Sequence, residues 1–599
     1  MSRISKAFAL RVVLIALVPG ILFAAQNTPS ATQPLSSRVK TLNTIFSDAW
    51  EDRLKHEPEF ASSIGDNRYN DQLSDFSVQA YNESLARGRA LLTRLAEVDT
   101  TGMSDQEQLS KELMVRGLIE DQQEARFKPW ELPVNQFDGF QVDLPQLVPQ
   151  LSFNTVKDYD DYIARLKKVP LAFQQITDNM SIGMDDHREP PAYLMEKALG
   201  EVNDIANQKP QDSPFALPIQ KFPASISATE QARIKEEVLA AITGQVIPAY
   251  VRFGKFLKSQ YIPGGRNDSG IWALPDGEAY YRFLVKQSTT TDMTADQIHQ
   301  VGVDQVKEDE EQLLAIAKKL GFADIKALQN AAENNPKLYP TSKEQLLDAY
   351  RGHLDQMRPK LPQLFGRLPK ASLVVMPVPD YAEKDQAAAY YIHGTPDGSR
   401  PGTVFVNTYK FATRPLYSTE SIAYHEGLPG HHLQISIAQE LTGLPEFRKY
   451  TYYTAYTEGW GLYAERLGKD VGFYQDPYND YGRLEADIWR AVRLVVDTGV
   501  HSKHWTRDQM VDYFHQHSAV PETDVQAEVD RYIAMPAQAL GYKVGQLKFL
   551  ELKAKAQQAL GDRFDIRAFH DQLLDSGALP LDLVEERIDT WIAAQKTQK

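Results

Sequence analysis

A chain of 599 residues, 42% hydrophobic and 24% charged, has ordinary globular composition and length enough for a large core, so disorder is not its expected state. A formal charge of -15 weighs against nucleic acid and anionic membranes as partners, because both are bound through clustered Lys and Arg, and no basic run interrupts the sequence. The lack of any cysteine excludes disulfides, thiolate metal ligands and a lipid-attached cysteine.

Residues 1–25 read MSRISKAFALRVVLIALVPGILFAA: Arg3, Lys6 and Arg11 precede an apolar run from Val12, and small alanines close it. That is the build of a secretory signal peptide, since the run is short for a membrane span and is broken by Pro19-Gly20. Cleavage after Ala24 or Ala25 would release a soluble periplasmic or secreted protein; a retained N-terminal anchor is the alternative. Residues 26–38 (QNTPSATQPLSSR) are polar and Pro/Ser/Thr-rich, as in a flexible linker.

Helical periodicity then dominates, with a helical region at 39–265 continuing into a second region at 266–599 as one domain. Helices are expected over Val78 to Leu95, Ser104 to Arg126, Thr229 to Leu257 and Thr294 to Lys319. The last opens with Thr294 and Gln297 in capping-box spacing and stops at Gly321; Ser342 and Gln345 open another such helix. No internal repeat of fixed period occurs. One region differs: Ala371 to Val378, Ala387 to Gly394 and Gly402 to Tyr409 are short, β-branched or aromatic, and separated by Pro, Gly and Asp, which predicts a small sheet just before a histidine cluster.

That cluster is AYHEGLPGHHLQ, Ala423 to Gln434, an HExxH-like pattern with two extra residues. In HExxH, positions four apart share a helix face, so two imidazoles meet one ion while the glutamate reaches a bound water. Here His425 is followed six and seven positions later by His431 and His432. An unbroken helix would put His432 about 10 Å along the axis, at roughly 1.5 Å per residue. Two nitrogens on one zinc lie no more than roughly 4 Å apart, so a regular helix fails. Pro429 interrupts a helix, and Gly427 and Gly430 permit the conformations of a broken turn. His431, directly after Gly430, is favoured over His432 as the second ligand, since HE followed after an interval by GH recurs in zinc peptidases.

Glu458, in TEGWGLYAERLG, is the candidate third ligand, flanked by Gly459 and Gly461, which allow a close helix approach. Glu465 lies two turns on, beside the metal ligands or in an ordinary salt bridge. In DIWRAVRLVVDTGVHSKHW, Arg490, Arg493, Asp497 and His501 form one polar stripe on an apolar helix. Asp497 can fix the His501 imidazole and keep it protonated for an oxyanion, or the stripe can be an internal ion network; His504 faces elsewhere. In RYIAMPAQALGYKVGQ, Pro536, Gly541 and Gly545 predict a distorted backbone where Arg531 and Tyr542 emerge. Arg531 is a candidate for a substrate carboxylate and Tyr542 for an oxyanion donor.

The motifs HEGLPGHHLQ, TEGWGLYAE, DTGVHSKHWT and RYIAMPAQALGYKVGQ together resemble the bacterial domain-of-unknown-function-885 family over about residues 41 to 592. That family in turn resembles the gluzincin zinc metallopeptidases. The resemblance implies a mostly α fold with a deep channel, a small sheet beside the active helix, and zinc held by His425, His431 and Glu458. The lengthened HExxH is this chain's departure from the gluzincin pattern. The sheet would then take an extended peptide along its last strand, where Asn407 is a candidate contact. The expected function is hydrolysis of short peptides by a zinc-activated water, with Glu426, His501 and Tyr542 as the catalytic set. Two alternatives stand beside it: an amidase or peptidase acting on cell-wall peptides, and a non-catalytic peptide binder, which would need no base at Glu426.

Overall fold

A computed structural model describes residues 33–379, 383 and 387–597; the signal peptide expected at 1–25 and most of the linker lie outside them. The end of that linker is corrected. A helix spans Leu35–His56, because Leu42, Ile45, Phe46, Trp50 and Leu54 repeat at helical spacing and are all buried. Arg38 in its first turn bonds the Asp99 carboxylate at 3.0 Å.

The predicted helices are present at Val78–Ala96 and Asp105–Glu124, the second opened by a Ser104/Glu107 capping box. The stretch expected as one helix over Thr229 to Leu257 is broken into Ala228–Ala241 and Ile247–Phe256, separated by a π turn at Ile242–Val246 and followed by another at Leu257–Tyr261. Each π turn runs up to a proline, Pro248 or Pro263, whose ring collides with the carbonyl four residues back; the wider turn relieves that clash. Helix α1 (Ala295–Lys319) has the predicted Thr294/Gln297 capping box in full. Lys343–Met357 has only half of one: Ser342 accepts from the Gln345 amide, but the Gln345 side chain accepts from Thr341.

The three strands are β1 (Leu373–Pro377), β2 (Ala389–Ile392) and β3 (Gly402–Val406). Their spatial order is β1-β3-β2, with β3 parallel to β1 and antiparallel to β2. This corrects the expectation of peptide addition to β3. Val404 and Val406 are fully buried, and both edges of β3 are already paired, so only β1 and β2 have an outer edge.

Six helices follow the sheet and build the site: α2 (Thr419–Glu426), α3 (His431–Glu440), α4 (Thr454–Asp470), α5 (Pro477–Ser502), α6 (Glu522–Ala534) and α7 (Leu540–Leu560). α5 is buried on nearly all sides and lies along α1, where a Cβ on Gly302 would fall 2.7 Å from the Cβ of Leu494. α4 crosses α7 more closely still: a Cβ on Gly459 would fall 2.5 Å from the Cα of Gly545. Residues 134–261 surround an apolar core of their own. Described residues from 33 to about 110 instead pack on the C-terminal half, with Trp50 stacked on Tyr450 at 5.4 Å and Gln106 bonded to Ser576 at 2.8 Å.

Candidate metal centre

The α2 helix ends at Glu426 and α3 begins at His431, so the chain does break across Gly427–Gly430 as Pro429 predicts. The turn folds back so tightly that a Cβ on Gly430 would lie 1.9 Å from the His425 carbonyl oxygen, which only glycine permits. The Leu428-Pro429 bond is cis, and the Pro429 carbonyl accepts from the Trp460 indole of α4 at 3.0 Å. That bond ties the turn to the helix carrying Glu458.

The break brings two imidazoles together, and Glu458 closes the group. Ligand atoms of His425, His431 and Glu458 all lie within 4.8 Å of one another. Glu458 Oε2 is 3.4 Å from His425 Nε2 and 3.5 Å from His431 Nε2. Donors held about 2.1 Å from a tetrahedral zinc are separated by about 3.4 Å, so the two carboxylate–imidazole spacings fit edges of such a site. Two imidazoles and a carboxylate are also the donor set that zinc takes when an open position is kept for reaction. His425 and His431 are 4% and 8% exposed, so the donors are shielded from bulk water. His432 turns the other way: its Nε2 donates to the Ala371 carbonyl at 3.2 Å and its Nδ1 accepts from the Tyr391 hydroxyl at 3.0 Å. It braces the sheet, and burial holds it neutral with a pKa of about 4.

The surroundings orient the ligands. His425 Nδ1 donates to Glu465 Oε1 at 2.9 Å, leaving Nε2 for the cation; Glu465 is therefore the orienting partner, not a surface salt bridge. A Cβ on Gly461 would lie within 2.6 to 2.9 Å of three atoms of the His425 ring, so α4 can carry Glu458 to this depth only with glycine there. Gly459 does not face the histidines but allows the crossing with α7. Burial would raise the Glu458 carboxyl, but the His431 charge and the two histidine contacts outweigh it and hold it well below the usual range. Burial is the largest influence on Glu426 and raises its pKa, partly offset by His425 and His431. Glu426 makes no side-chain hydrogen bond to any described residue, which leaves both oxygens available. Replacing Glu465 by Gln is expected to weaken zinc affinity about 10- to 100-fold without unfolding the chain, measured by competition with a chromogenic chelator.

Tyr452 was not foreseen. The residue is 55% exposed, while its hydroxyl donates to Glu458 Oε1 at 3.0 Å, fixing the carboxylate oxygen that does not face the histidines. It sits in the run Tyr450 to Tyr453, where no spacing marks one tyrosine over another.

The Asp497–His501 pair is corrected. His501 Nδ1 accepts from the Ile271 amide at 3.0 Å and Nε2 donates to the Tyr532 carbonyl at 2.9 Å, so both nitrogens are occupied. Burial lowers its pKa to about 3, and it is neutral rather than a protonated oxyanion donor. Asp497 does not touch it. One turn apart on α5, Asp497 instead accepts from the Tyr281 hydroxyl at 2.6 Å and from the Ala537 amide at 3.1 Å. It thus caps the left-handed bend at Ala537 between α6 and α7, and burial raises its pKa to about 7. The predicted backbone distortion lies at this bend, whereas Gly541 and Gly545 are inside α7, where they admit Thr454 and Ala455 of α4. His504 stacks on Trp272 at 4.1 Å, away from the cluster.

Arg531 and Tyr542 do meet: an Arg531 Nη2 donates to the Tyr542 hydroxyl at 3.2 Å and to Gln538 at 2.8 Å. Both lie close enough to Tyr452 to act on its charge, which puts them on the Glu458 side of the site. Arg493 lies over the Tyr542 ring at 4.6 Å and bonds Glu528 at 3.0 Å; Arg490 faces Glu426 electrostatically. Asn407 is fully buried, its amide donating to Glu383 O at 2.7 Å and its side-chain oxygen accepting from the Tyr409 amide at 3.0 Å. It clasps the end of β3, and this replaces the substrate contact expected of it.

Fold and site together define a mostly α-helical protein that buries a His–His–Glu cluster with the geometry of a divalent-cation site. The profile of a bacterial protein family of unknown function, DUF885, matches residues 58–588, and the chain belongs to that family. Its structure is similar to that of a candidate lipoprotein from Colwellia psychrerythraea, at 27% identity and a TM-score of 0.88, covering 93% of this chain and 99% of that one. A candidate lipoprotein of unknown function from Shewanella oneidensis shares the fold at 18% identity and a TM-score of 0.69, covering 92% and 99%. No curated protein matches the chain. Among the described residues, no helix is long and apolar enough to cross a membrane.

Proposed function

We propose that this protein is an exported zinc-dependent peptidase of gluzincin type that hydrolyses short peptides entering a channel among its helices, releasing residues from a C-terminus held by an arginine. The observation that carries the reading is the convergence of His425, His431 and Glu458 with an unbonded Glu426 beside them. Those three residues would hold a zinc ion, which would supply Lewis-acid polarisation to a peptide carbonyl and a water. Glu426, the residue after the first ligand, takes the proton from the attacking water and passes it to the leaving amine. The Tyr542 hydroxyl accepts from Arg531, so its own proton is free to donate to the developing oxyanion, in place of His501. Arg531 presents further donors to a substrate carboxylate. β2, packed against α2, has an outer edge that no described strand pairs, along which an extended peptide would lie in place of β3.

A pure peptide binder has no use for a carboxylate at Glu426, which favours catalysis. The test is zinc content together with turnover: about one zinc per chain, and a peptide mixture whose mass spectrum shows progressive loss of C-terminal residues. Zinc bound with no cleavage of a diverse peptide library would leave the binding protein as the better reading.

A further inference from the structure

Resting on the peptidase reading, we propose that the site selects peptides whose departing residue carries two negative charges, its α-carboxylate and an acidic side chain. Three guanidinium groups, of Arg490, Arg493 and Arg531, surround one carboxylate, Glu528, and all three act on its charge. Arg493 donates to it at 3.0 Å and Arg531 at 3.4 Å. Three positive charges against one negative leave a surplus of two. Arg414 and Asp524, also nearby, offset each other. A zinc dication is itself balanced by Glu426 and Glu458, so it does not draw on that surplus.

The surplus lies where the leaving half of a peptide would sit. Arg490 and Arg493 are three residues apart and share a face of α5. Arg490 acts on Glu426 at one end, and Arg531 acts on Tyr452 at the other, next to Glu458. Two donors of the group, Arg490 Nε and Arg493 Nη1, are buried with no hydrogen-bond partner among the described residues. A cationic donor left buried and unpaired is unfavourable, so these two call for an anionic partner. One α-carboxylate neutralises half of the excess; an aspartate or glutamate side chain neutralises the rest.

The test uses the full-length, zinc-loaded wild-type protein and calorimetric titration with three probes in which an uncleavable ketomethylene link replaces the last peptide bond: the analogues of N-acetyl-Ala-Ala-Glu, N-acetyl-Ala-Ala-Gln, and N-acetyl-Ala-Ala-Glu amide. The doubly charged peptide is expected to bind at least about tenfold more tightly than either singly charged one, the scale of one charge-assisted hydrogen bond. Adding Arg490→Gln should collapse that advantage toward one. Equal affinity for the Glu and Gln peptides, no binding by any probe, or an advantage that survives Arg490→Gln overturns the proposal. Wild-type protein that cleaves no peptide while keeping the acidic preference among the uncleavable probes sinks the peptidase reading and not the charge selection. Turnover of Gln-ended peptides as fast as Glu-ended ones does the reverse.

Discussion

Glu426→Gln should lower kcat for peptide hydrolysis by a factor on the order of 10² to 10⁴, while zinc stoichiometry and melting temperature stay near those of the wild type. The amide matches the carboxylate in shape but cannot take a proton from water. Because Glu426 makes no side-chain hydrogen bond to described residues and stands outside the set of three converging donors, its replacement breaks no packing and removes no ligand. The change should fall on kcat, with KM altered far less, since the lost interaction exists only in the transition state. Stopped assays on a peptide identified in the mass-spectrometric screen would read both parameters. Activity within tenfold of the wild type would remove Glu426 from the mechanism.

The second large effect separates the adjacent histidines. His431→Ala removes one of three donors and should reduce bound zinc from about one per chain to near zero after dialysis against metal-free buffer. His432→Ala should keep the zinc, because His432 points at Ala371 and Tyr391 and not at Glu458. Its cost belongs to the sheet: about 1–3 kcal/mol of stability for two buried groups left without a partner, read as a lower melting temperature. Zinc lost by His432→Ala and kept by His431→Ala would place the cation elsewhere.

The metal ligands were legible in the sequence for a reason that does not extend to the rest of the site. Zinc demands donors within bonding reach, and His425, Pro429 and the glycines on either side of it leave one way to satisfy that demand, a break in the helix. Helix starts were legible too, since a cap at Ser104 or Thr294 is a local affair of four residues. The long periodic stretch from Thr229 was read as one helix because its apolar spacing hardly changes through a π turn, although Pro248 and Pro263 marked where the turns had to lie. Sheet order was not legible: chain order makes β3 the last strand, and only tertiary packing inserts it between β1 and β2. The Asp497–His501 reading failed similarly. Helical spacing put the two on one face, but Ile271, Tyr281, Tyr532 and Ala537 arrive from distant parts of the chain and claim their hydrogen bonds first. Tyr452 and Glu528 gave no signal, because each matters only through a partner that the fold supplies.

The crossing of Gly459 with Gly545 makes α7, which offers no ligand, a determinant of the metal's hold. A methyl group at position 545 would meet the Ala455 carbonyl at 1.8 Å, and the obstruction is backbone, which cannot rotate aside. The helix bearing Glu458 would have to shift outward by about the width of an atom, lengthening the reach to both imidazoles together. A library randomised at this distant position and screened only for metal retention would therefore return glycine, although nothing at 545 touches the ion.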